Sequence, residues 1–438
     1  MIDKEILAKI VLDFKEWNPP SELIERDIFI DLKLPLKRAT TIIGPRRTGK
    51  TYLLYFLIKK LLASGIRKER ILYVNFESPK LLGVGAEDIE ALYDVFMEIN
   101  QMANDNENNW LFLDEIQVVR NWEIGIRGLL DNGRNKVFLT GSSSKLLSKE
   151  IASSMRGRTL SRLVLPFSFN EYLRFKRFKT EKYYSTADKN RLLGLFGQYF
   201  NYGGYPEIAL HGTEWEKIIS EILEVTIYRD LVERYKVRNT KVIKIMMNQL
   251  VRAKEFSVHK FFNYLKSLNI KISKNTLYEY LSFFHDAFIF FPLYKYSYSI
   301  KNTDQSIPKI YPVDNAFLSL ITEDDKGKKL ENMVFVELLR RGYETNRSLF
   351  YCLTGNGEVD FLLKEKGKIT SLIQTCYDVM DYITKEREIN SLLKSAVEFK
   401  CSDLKIITYD YDKTELHNGK KVVFISIWKW LLDSHESK

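Results

Sequence analysis

Short apolar runs alternate with longer amphipathic stretches through the first third of the chain. Residues 39–43 (ATTII) are apolar or β-branched and stop at Gly44, and a helical pattern follows from Lys50 to about Ala63. Residues 71–76 (ILYVNF), 110–114 (WLFLD) and 136–140 (KVFLT) are further apolar runs of strand length. Strands alternating with helices predict a parallel α/β sheet. Their continuous apolar character predicts strands buried on both faces. The N-terminal MIDKEILAKIVLDF mixes charges into its apolar positions, so it reads as an amphipathic helix and not as a signal peptide. After Pro166 the pattern changes. Residues 167–235 read as mainly helical, broken by the turn signal Gly203-Gly204-Tyr205-Pro206. Further helices are predicted within 241–290. Residues 313–438 return to mixed strand and helix, with strand-like runs at 359–363, 371–376, 404–408 and 422–427. No internal repeat or low-complexity linker interrupts the series.

The chain has 438 residues, and at roughly 100–200 residues per domain this predicts about three or four units. A hydrophobic content of 45% is enough for a buried core and excludes a disordered or fibrous protein. No apolar run reaches the roughly 18 residues needed to span a bilayer, so no membrane association is expected. Cys352, Cys376 and Cys401 are isolated, which argues against a disulfide framework and against a zinc site. A reducing cytoplasm is the simplest compartment.

Gly44-Pro45-Arg46-Arg47-Thr48-Gly49-Lys50-Thr51 fits the phosphate-loop pattern GxxxxGK[ST], and it lies where that pattern must lie, between a strand and a helix. The glycines let the backbone curl so that successive N–H groups face phosphate oxygens. The following helix adds its positive N-terminal end. Lys50 can reach the β- and γ-phosphates of ATP, and the Thr51 hydroxyl is placed for Mg²⁺. Leu111-Phe112-Leu113-Asp114-Glu115 carries two acids to a strand end. Asp114 is expected to hold the magnesium and Glu115 to polarise the attacking water. In VFLTGSSS (137–144), Thr140 or Ser142 is placed to contact the γ-phosphate or the water. In Met155-Arg156-Gly157-Arg158, either arginine is a candidate to reach a neighbouring subunit's γ-phosphate.

Taken in order, GPRRTGKT, YVNFE (73–77), FLDEIQ (112–117), LTGSSS (139–144), MRGR (155–158), LPFSFNEYL (165–173) and GGYPE (203–207) resemble the archaeal-type ATPases of the AAA+ superfamily. The resemblance implies an α/β fold with four parts. These are a P-loop parallel-sheet core (1–165), a helical lid (166–238), a winged helix-turn-helix (239–312) and a small endonuclease-like α/β domain (313–438). It implies ATP binding and hydrolysis with Mg²⁺, with Lys50, Thr51, Asp114 and Glu115 in the roles given above. Ser142 matches the polar sensor and Arg158 the arginine finger. An arginine acting in trans requires a homo-oligomer, and the sequence leaves the oligomeric state open.

The net charge of the chain is +10, and residues 234–274 carry a formal +10 by themselves, with Glu255 as the sole acid. Clustered positive charge is the footprint of a phosphate-backbone binder, so double-stranded DNA is the expected partner. Residues 257–284 read as a helix-turn-helix, with Ser257 and Ser273 as caps. Phe261, Leu265, Leu277 and Leu281 have core spacing. Lys271, Lys274 and Asn275 stand at the start of the second helix, where DNA contacts occur in such motifs.

In the last segment, Glu331 and Asp360 match the first two acids of the endonuclease-like layout. Gln374 replaces the third acid, and Cys376 stands where the lysine belongs. Cleavage requires carboxylates for an ion and a cation near the phosphate, so this domain is expected not to cleave. Two functional readings follow. One is an ATPase coupled to DNA binding or remodelling. The other is a nucleotide-controlled switch acting on a protein partner. An active ATP-dependent nuclease is a third and weaker reading.

Overall fold

The computed structural model describes residues 2–33, 37–102, 107–142, 154–155, 157–322, 325–355 and 357–433. The chain divides into two compact units, Met1–Val164 and Leu165–Lys438.

In the first unit, strands β1 (Ala39–Ile43), β2 (Ile71–Asn75), β3 (Asn109–Asp114), β4 (Asn135–Gly141) and β5 (Thr159–Leu163) form a five-stranded sheet in the order β2-β3-β4-β1-β5. Every pairing is parallel. The helices α1 (Lys4–Glu16), α2 (Lys50–Ala63), α3 (Ala86–Ile99) and α4 (Trp122–Asp131) complete the unit. The predicted strands and the α2 pattern are present, and β5 is an additional strand that the apolar pattern did not reveal. Its residues, Thr-Leu-Ser-Arg-Leu, are only partly buried, because it lies at the sheet edge.

Helix α2 follows the phosphate loop and packs Leu53, Leu54, Leu57, Ile58 and Leu61 on the sheet against Ile42, Phe112 and Phe138. Removing each such side chain from water contributes about 1.5–3 kcal/mol. Phe112 and Phe138 are register partners on β3 and β4, and their rings stack at 4.8 Å. Helix α1 is amphipathic as predicted and buries Leu7, Val11 and Phe14 against α3 and β2.

The second unit begins with helices. Helix α5 (Phe169–Phe175) opens with a capping box: the Ser168 hydroxyl accepts from Glu171 N at 3.0 Å, and Ser168 N donates back to Glu171 Oε2 at 2.9 Å. Helices α6 (Thr186–Tyr202) and α7 (Trp215–Val225) follow, and the chain continues as a π-helix over Thr226–Glu233. Helices α8 (Thr240–Arg252), α9 (Val258–Ser267) and α10 (Lys274–Asp286) lead into an antiparallel pair, β6 (Phe290–Leu293) and β7 (Lys309–Pro312). A six-stranded sheet closes the unit, in the order β12-β13-β11-β10-β9-β8. Its strands are β8 (Leu349–Thr354), β9 (Gly357–Glu365), β10 (Lys368–Cys376), β11 (Leu404–Thr408), β12 (Lys413–His417) and β13 (Lys420–Ser426). Helix α11 (Lys326–Arg340) packs against β7 and β10, and α12 (Tyr382–Glu398) packs against β8, β9 and β10.

The Gly203-Gly204 break ends α6 and has a tertiary cause. Gly203 has φ of +77°, and a Cβ there would lie 1.5 Å from Asp314 Oδ1. A Cβ on Gly204 would meet Phe167 O at 2.3 Å. The buried Asp314 carboxylate accepts from Gly204 N at 2.9 Å and from Ala316 N at 2.9 Å, where it caps the helix Asn315–Ile321. Gly203→Ala is therefore expected to destabilise this unit by at least about 3 kcal/mol, through a steric clash added to an unfavourable φ. The midpoint of chemical denaturation measures it. A loss under about 1 kcal/mol, the ordinary range for a single substitution, would mean that Asp314 can move aside.

Candidate active site

The sequence Gly44–Thr51 turns from the end of β1 into α2. Gly44 has φ of +151°, and a Cβ on it would lie 2.1 Å from Val164 O, so only glycine fits where the chain passes β5. Arg47 (φ 60°) and Gly49 (φ 92°) take left-handed conformations, which curl the loop. The Thr48 hydroxyl donates to Pro45 O at 3.0 Å and closes the turn. Arg26, absent from the sequence reading, donates from Nη1 to Thr48 O at 2.8 Å and props the loop from behind. Arg46 pairs with Glu77 at 3.4 Å. Lys50 is 5% exposed and lies over the loop, its Nζ donating to Gly44 O (3.0 Å) and Pro45 O (2.8 Å). These carbonyls hold the ammonium where a phosphate oxygen would otherwise receive it.

Strand β4 lies between β1 and β3, so its C-terminal end separates the loop from the acids at the end of β3. Asp114 has no solvent exposure. Its Oδ2 accepts from the Thr51 hydroxyl at 2.8 Å and from the Tyr73 hydroxyl at 3.0 Å, and its Oδ1 accepts from the Thr140 hydroxyl. Burial pushes this carboxyl above the usual carboxylate range. The Thr140 hydroxyl draws it back, and Glu115 beside it raises it further. Glu115 takes a left-handed conformation (φ 53°), its N–H donates to Thr140 Oγ1 at 2.8 Å, and its Oε2 accepts from Gln117. Thr140 thus orients both acids. The residues present fit a nucleotide with Mg²⁺: a curled loop with a lysine, and a buried carboxylate whose hydrogen bonds from the described side chains come from neutral hydroxyls and which is joined to the loop through Thr51.

Ser142 follows β4 and is fully buried, and its hydroxyl has no hydrogen-bond partner among the described residues. Ser143, Ser144 and Arg156 lie outside the described residues. Arg158 is not brought to this chain's own loop. Thr159 pairs with Ala39 in parallel register, so Arg158 stands at the start of β5, whereas the loop leaves the far end of β1. Five residues of strand separate them by about 15 Å. Arg158 pairs instead with Asp131 at the end of α4.

The helix-turn-helix is α9 and α10. The Ser257 and Ser273 hydroxyls cap them, accepting from Lys260 N (3.3 Å) and Thr276 N (3.0 Å). Asn269, at φ 58°, ends α9 in the left-handed conformation usual for a helix stop. Phe261, Leu265 and Leu277 are buried as expected. Leu281 is only half-buried, and Tyr280 and Phe284 take its place, because the core face of α10 follows positions 277, 280 and 284. Lys271 and Asn275 are exposed. Lys274 lies across α9, with Nζ 2.8 Å from His259 Nδ1 and 5.2 Å from the centre of the Phe262 ring.

Glu331 on α11 and Asp360 on β9 do come together. Gln374 spans from Asp360 N, which donates to its Oε1 at 3.1 Å, to Glu388. Cys376 is buried, and its thiol is pushed up to about 11 by that burial. Cys376 does stand where the lysine of that layout belongs, but a lysine reaches these acids from elsewhere: Lys309 from β7 lies against both. A lysine on a different strand pair from the acids leaves no spacing signal in the sequence.

Asp114→Asn is expected to stabilise the protein, with no nucleotide added, by about 1 kcal/mol at neutral pH, because it removes a carboxylate whose folded pKa is raised. The gap should close as the pH falls and Asp114 takes up a proton. A lower denaturation midpoint for the variant would show that the hydroxyl bonds to Asp114 outweigh its burial.

A family model described as an AAA domain matches residues 36–173, and one described as a domain of unknown function matches residues 193–327. An uncharacterized protein of Methanocaldococcus jannaschii is 40% identical over 99% of this chain and 96% of its own length. One from Haemophilus influenzae is 29% identical over 88% of this chain and 93% of its own length. Among solved structures, the Aeropyrum pernix Orc1 protein in complex with DNA is 11% identical over 73% of this chain and 91% of that one, with a TM-score of 0.28. Cdc6p from Pyrobaculum aerophilum is 12% identical over 73% and 91%, with a TM-score of 0.26. Superpositions that loose carry no argument about function. The near full-length archaeal relative, and an AAA-domain match over the very segment that builds the loop, the parallel sheet and the paired acids, show that this chain belongs to the archaeal-type P-loop ATPases of the AAA+ superfamily.

Proposed function

We propose that the chain binds ATP with Mg²⁺ at Gly44–Thr51, hydrolyses it, and couples that cycle to double-stranded DNA. The observation that carries the reading is Asp114, a carboxylate without solvent whose described contacts are neutral hydroxyls. A buried anion in such surroundings is stabilised by an incoming cation. Thr51 and Asp114 would hold the Mg²⁺, which supplies charge neutralisation on the phosphates. Lys50 exchanges the carbonyls of Gly44 and Pro45 for phosphate oxygens. Glu115, its backbone fixed through Thr140, orients the attacking water, and Ser142 contributes a hydroxyl. Arg158 acts only in trans, in a homo-oligomer. Residues 166–238 serve as the helical lid, 239–312 as a winged helix-turn-helix with β6 and β7 as its wing, and 313–438 as the endonuclease-like domain.

Two substitutions test the hydrolytic part. Lys50→Ala and Glu115→Gln should each lower kcat at least about 100-fold. Glu115→Gln should still bind nucleotide, as followed by a fluorescent ATP analogue. Full turnover by Glu115→Gln would remove Glu115 from its role.

The DNA part rests on exposed Lys271 and Asn275 beside Lys274 at the start of α10, within the basic segment. Part of that charge is internally used, since Arg234 pairs with Asp230 and Lys254 with Glu358. The switch reading, with a protein partner and no nucleic acid, is favoured by the exposed Tyr264, Leu268 and Tyr278 on the same motif. Steady-state ATP hydrolysis with and without duplex DNA separates the two, because only the first predicts stimulation that salt suppresses. Neutralising Lys271 and Lys274 together should reduce the slope of log affinity against log salt by about 2. Unchanged binding and slope would exclude α10 from the DNA contact.

A further inference from the structure

An endonuclease-like layout implies a divalent ion held by Glu331 and Asp360. The residues of this chain do not fit one, because the space between the carboxylates is taken by an ammonium. Lys309 Nζ lies 2.8 Å from Glu331 Oε1, 2.8 Å from Glu358 Oε1 and 2.9 Å from Asp360 Oδ1. The ammonium donates hydrogen bonds to Glu331 and Asp360, and Glu358 forms a third ion pair with it. The Lys309 side chain is 1% exposed.

The outer contacts hold the carboxylates in place. Tyr311, two residues further along β7, donates to Glu331 Oε1 at 2.6 Å. Thr375 donates to Asp360 Oδ2 from its hydroxyl (2.7 Å) and its N–H (3.0 Å). Lys254 Nζ lies 2.7 Å from Glu358 Oε1. Burial alone would lower the Lys309 ammonium, but Asp360, Glu331 and Glu358 more than reverse this and hold it well above the usual lysine range. Burial alone would raise Asp360, and Lys309 and Thr375 hold it below the usual carboxylate range. The spacing also suits nitrogen better than metal. Oxygens around Mg²⁺ sit at about 2.0–2.1 Å and around Ca²⁺ at about 2.3–2.6 Å. Among the described residues, no group of His, Cys, Asp and Glu is arranged to hold a metal ion.

We infer that Lys309 is the resident cation of this centre, an ammonium built into the chain in place of a divalent ion. It clamps β7 to α11 and β9, leaves no vacancy for Mg²⁺ or Mn²⁺, and keeps this domain from cleaving phosphodiesters. Removing the ammonium leaves Glu331, Glu358 and Asp360 without the cation they share, a cluster of negative charge that an added divalent ion would neutralise.

The test is thermal unfolding of the full chain without nucleotide, with and without millimolar Mn²⁺. Wild type should show no shift that depends on Asp360. Lys309→Met should unfold at a lower temperature without the ion and recover by about 5 °C or more with Mn²⁺. That recovery should vanish when Asp360→Asn is added. A Mn²⁺ shift in wild type that Asp360→Asn removes and Asp114→Asn does not would overturn the inference. So would a folded Lys309→Met that ignores Mn²⁺. Should Lys309→Met fail to fold, Mn²⁺ uptake by wild type, read from the electron paramagnetic resonance of the free ion, still decides. Stoichiometric uptake lost in Asp360→Asn sinks the proposal, and no Asp360-dependent uptake supports it. DNA nicking with Mn²⁺ that Asp360→Ala abolishes would also sink it.

Discussion

The first unit is organised around the burial of one carboxylate. Asp114 has lost its water, and three neutral hydroxyls, from Thr51, Tyr73 and Thr140, take water's place. Hydrogen bonds to a charged group contribute about 1.5–3 kcal/mol each, yet none of these supplies a positive charge. The strand order is what makes the arrangement available. With β4 between β1 and β3, the Thr140 hydroxyl sits between the two acids and receives the Glu115 N–H while donating to Asp114. A one-residue slip of β4 would turn Thr140 to the other face of the sheet and release both acids.

A second buried centre uses the same residue types to the opposite effect. Around Lys309, the buried acids already have a cation from within the chain, which donates to Glu331 and Asp360 and pairs with Glu358. At Asp114 the anion is buried with hydroxyls and no cation bonded to it among the described residues. The first arrangement closes a site, and the second leaves one that a cation completes. Breaking a buried ion pair from one side typically costs about 3–5 kcal/mol, so the Lys309 centre also joins β7, α11 and β9 into one framework. Asp314 joins the neighbouring segments in a similar way, through backbone N–H groups in place of a cation.

Much of the first unit was legible in residue order. The β1 and α2 limits follow from ATTII, the glycine loop and the helical pattern, and the acids at the end of β3 follow from an apolar run that stops at Asp114. The caps at Ser257 and Ser273 were legible because capping is local, reaching only three residues along the chain. Edge strands were less legible: β5 and β12 present polar residues to solvent and lack a continuous apolar run. The choice of Tyr280 and Phe284 over Leu281 was missed because the core face of α10 is set by what packs against it.

Local patterns by themselves therefore determined the phosphate-loop motif, the paired acids, the parallel α/β class and the capped helix-turn-helix. Each of these is written within a few residues, where backbone geometry and solvation act directly. Tertiary structure alone decided that Tyr73 and Arg26 support the site, that Arg158 stands at the far end of its strand, and that Asp314 and Phe167 O require glycine at positions 203 and 204 respectively. It alone placed Lys309 among acids 22, 49 and 51 residues further along the chain, at Glu331, Glu358 and Asp360. A buried charge selects its partners by distance in space, and distance in space is what residue order does not carry.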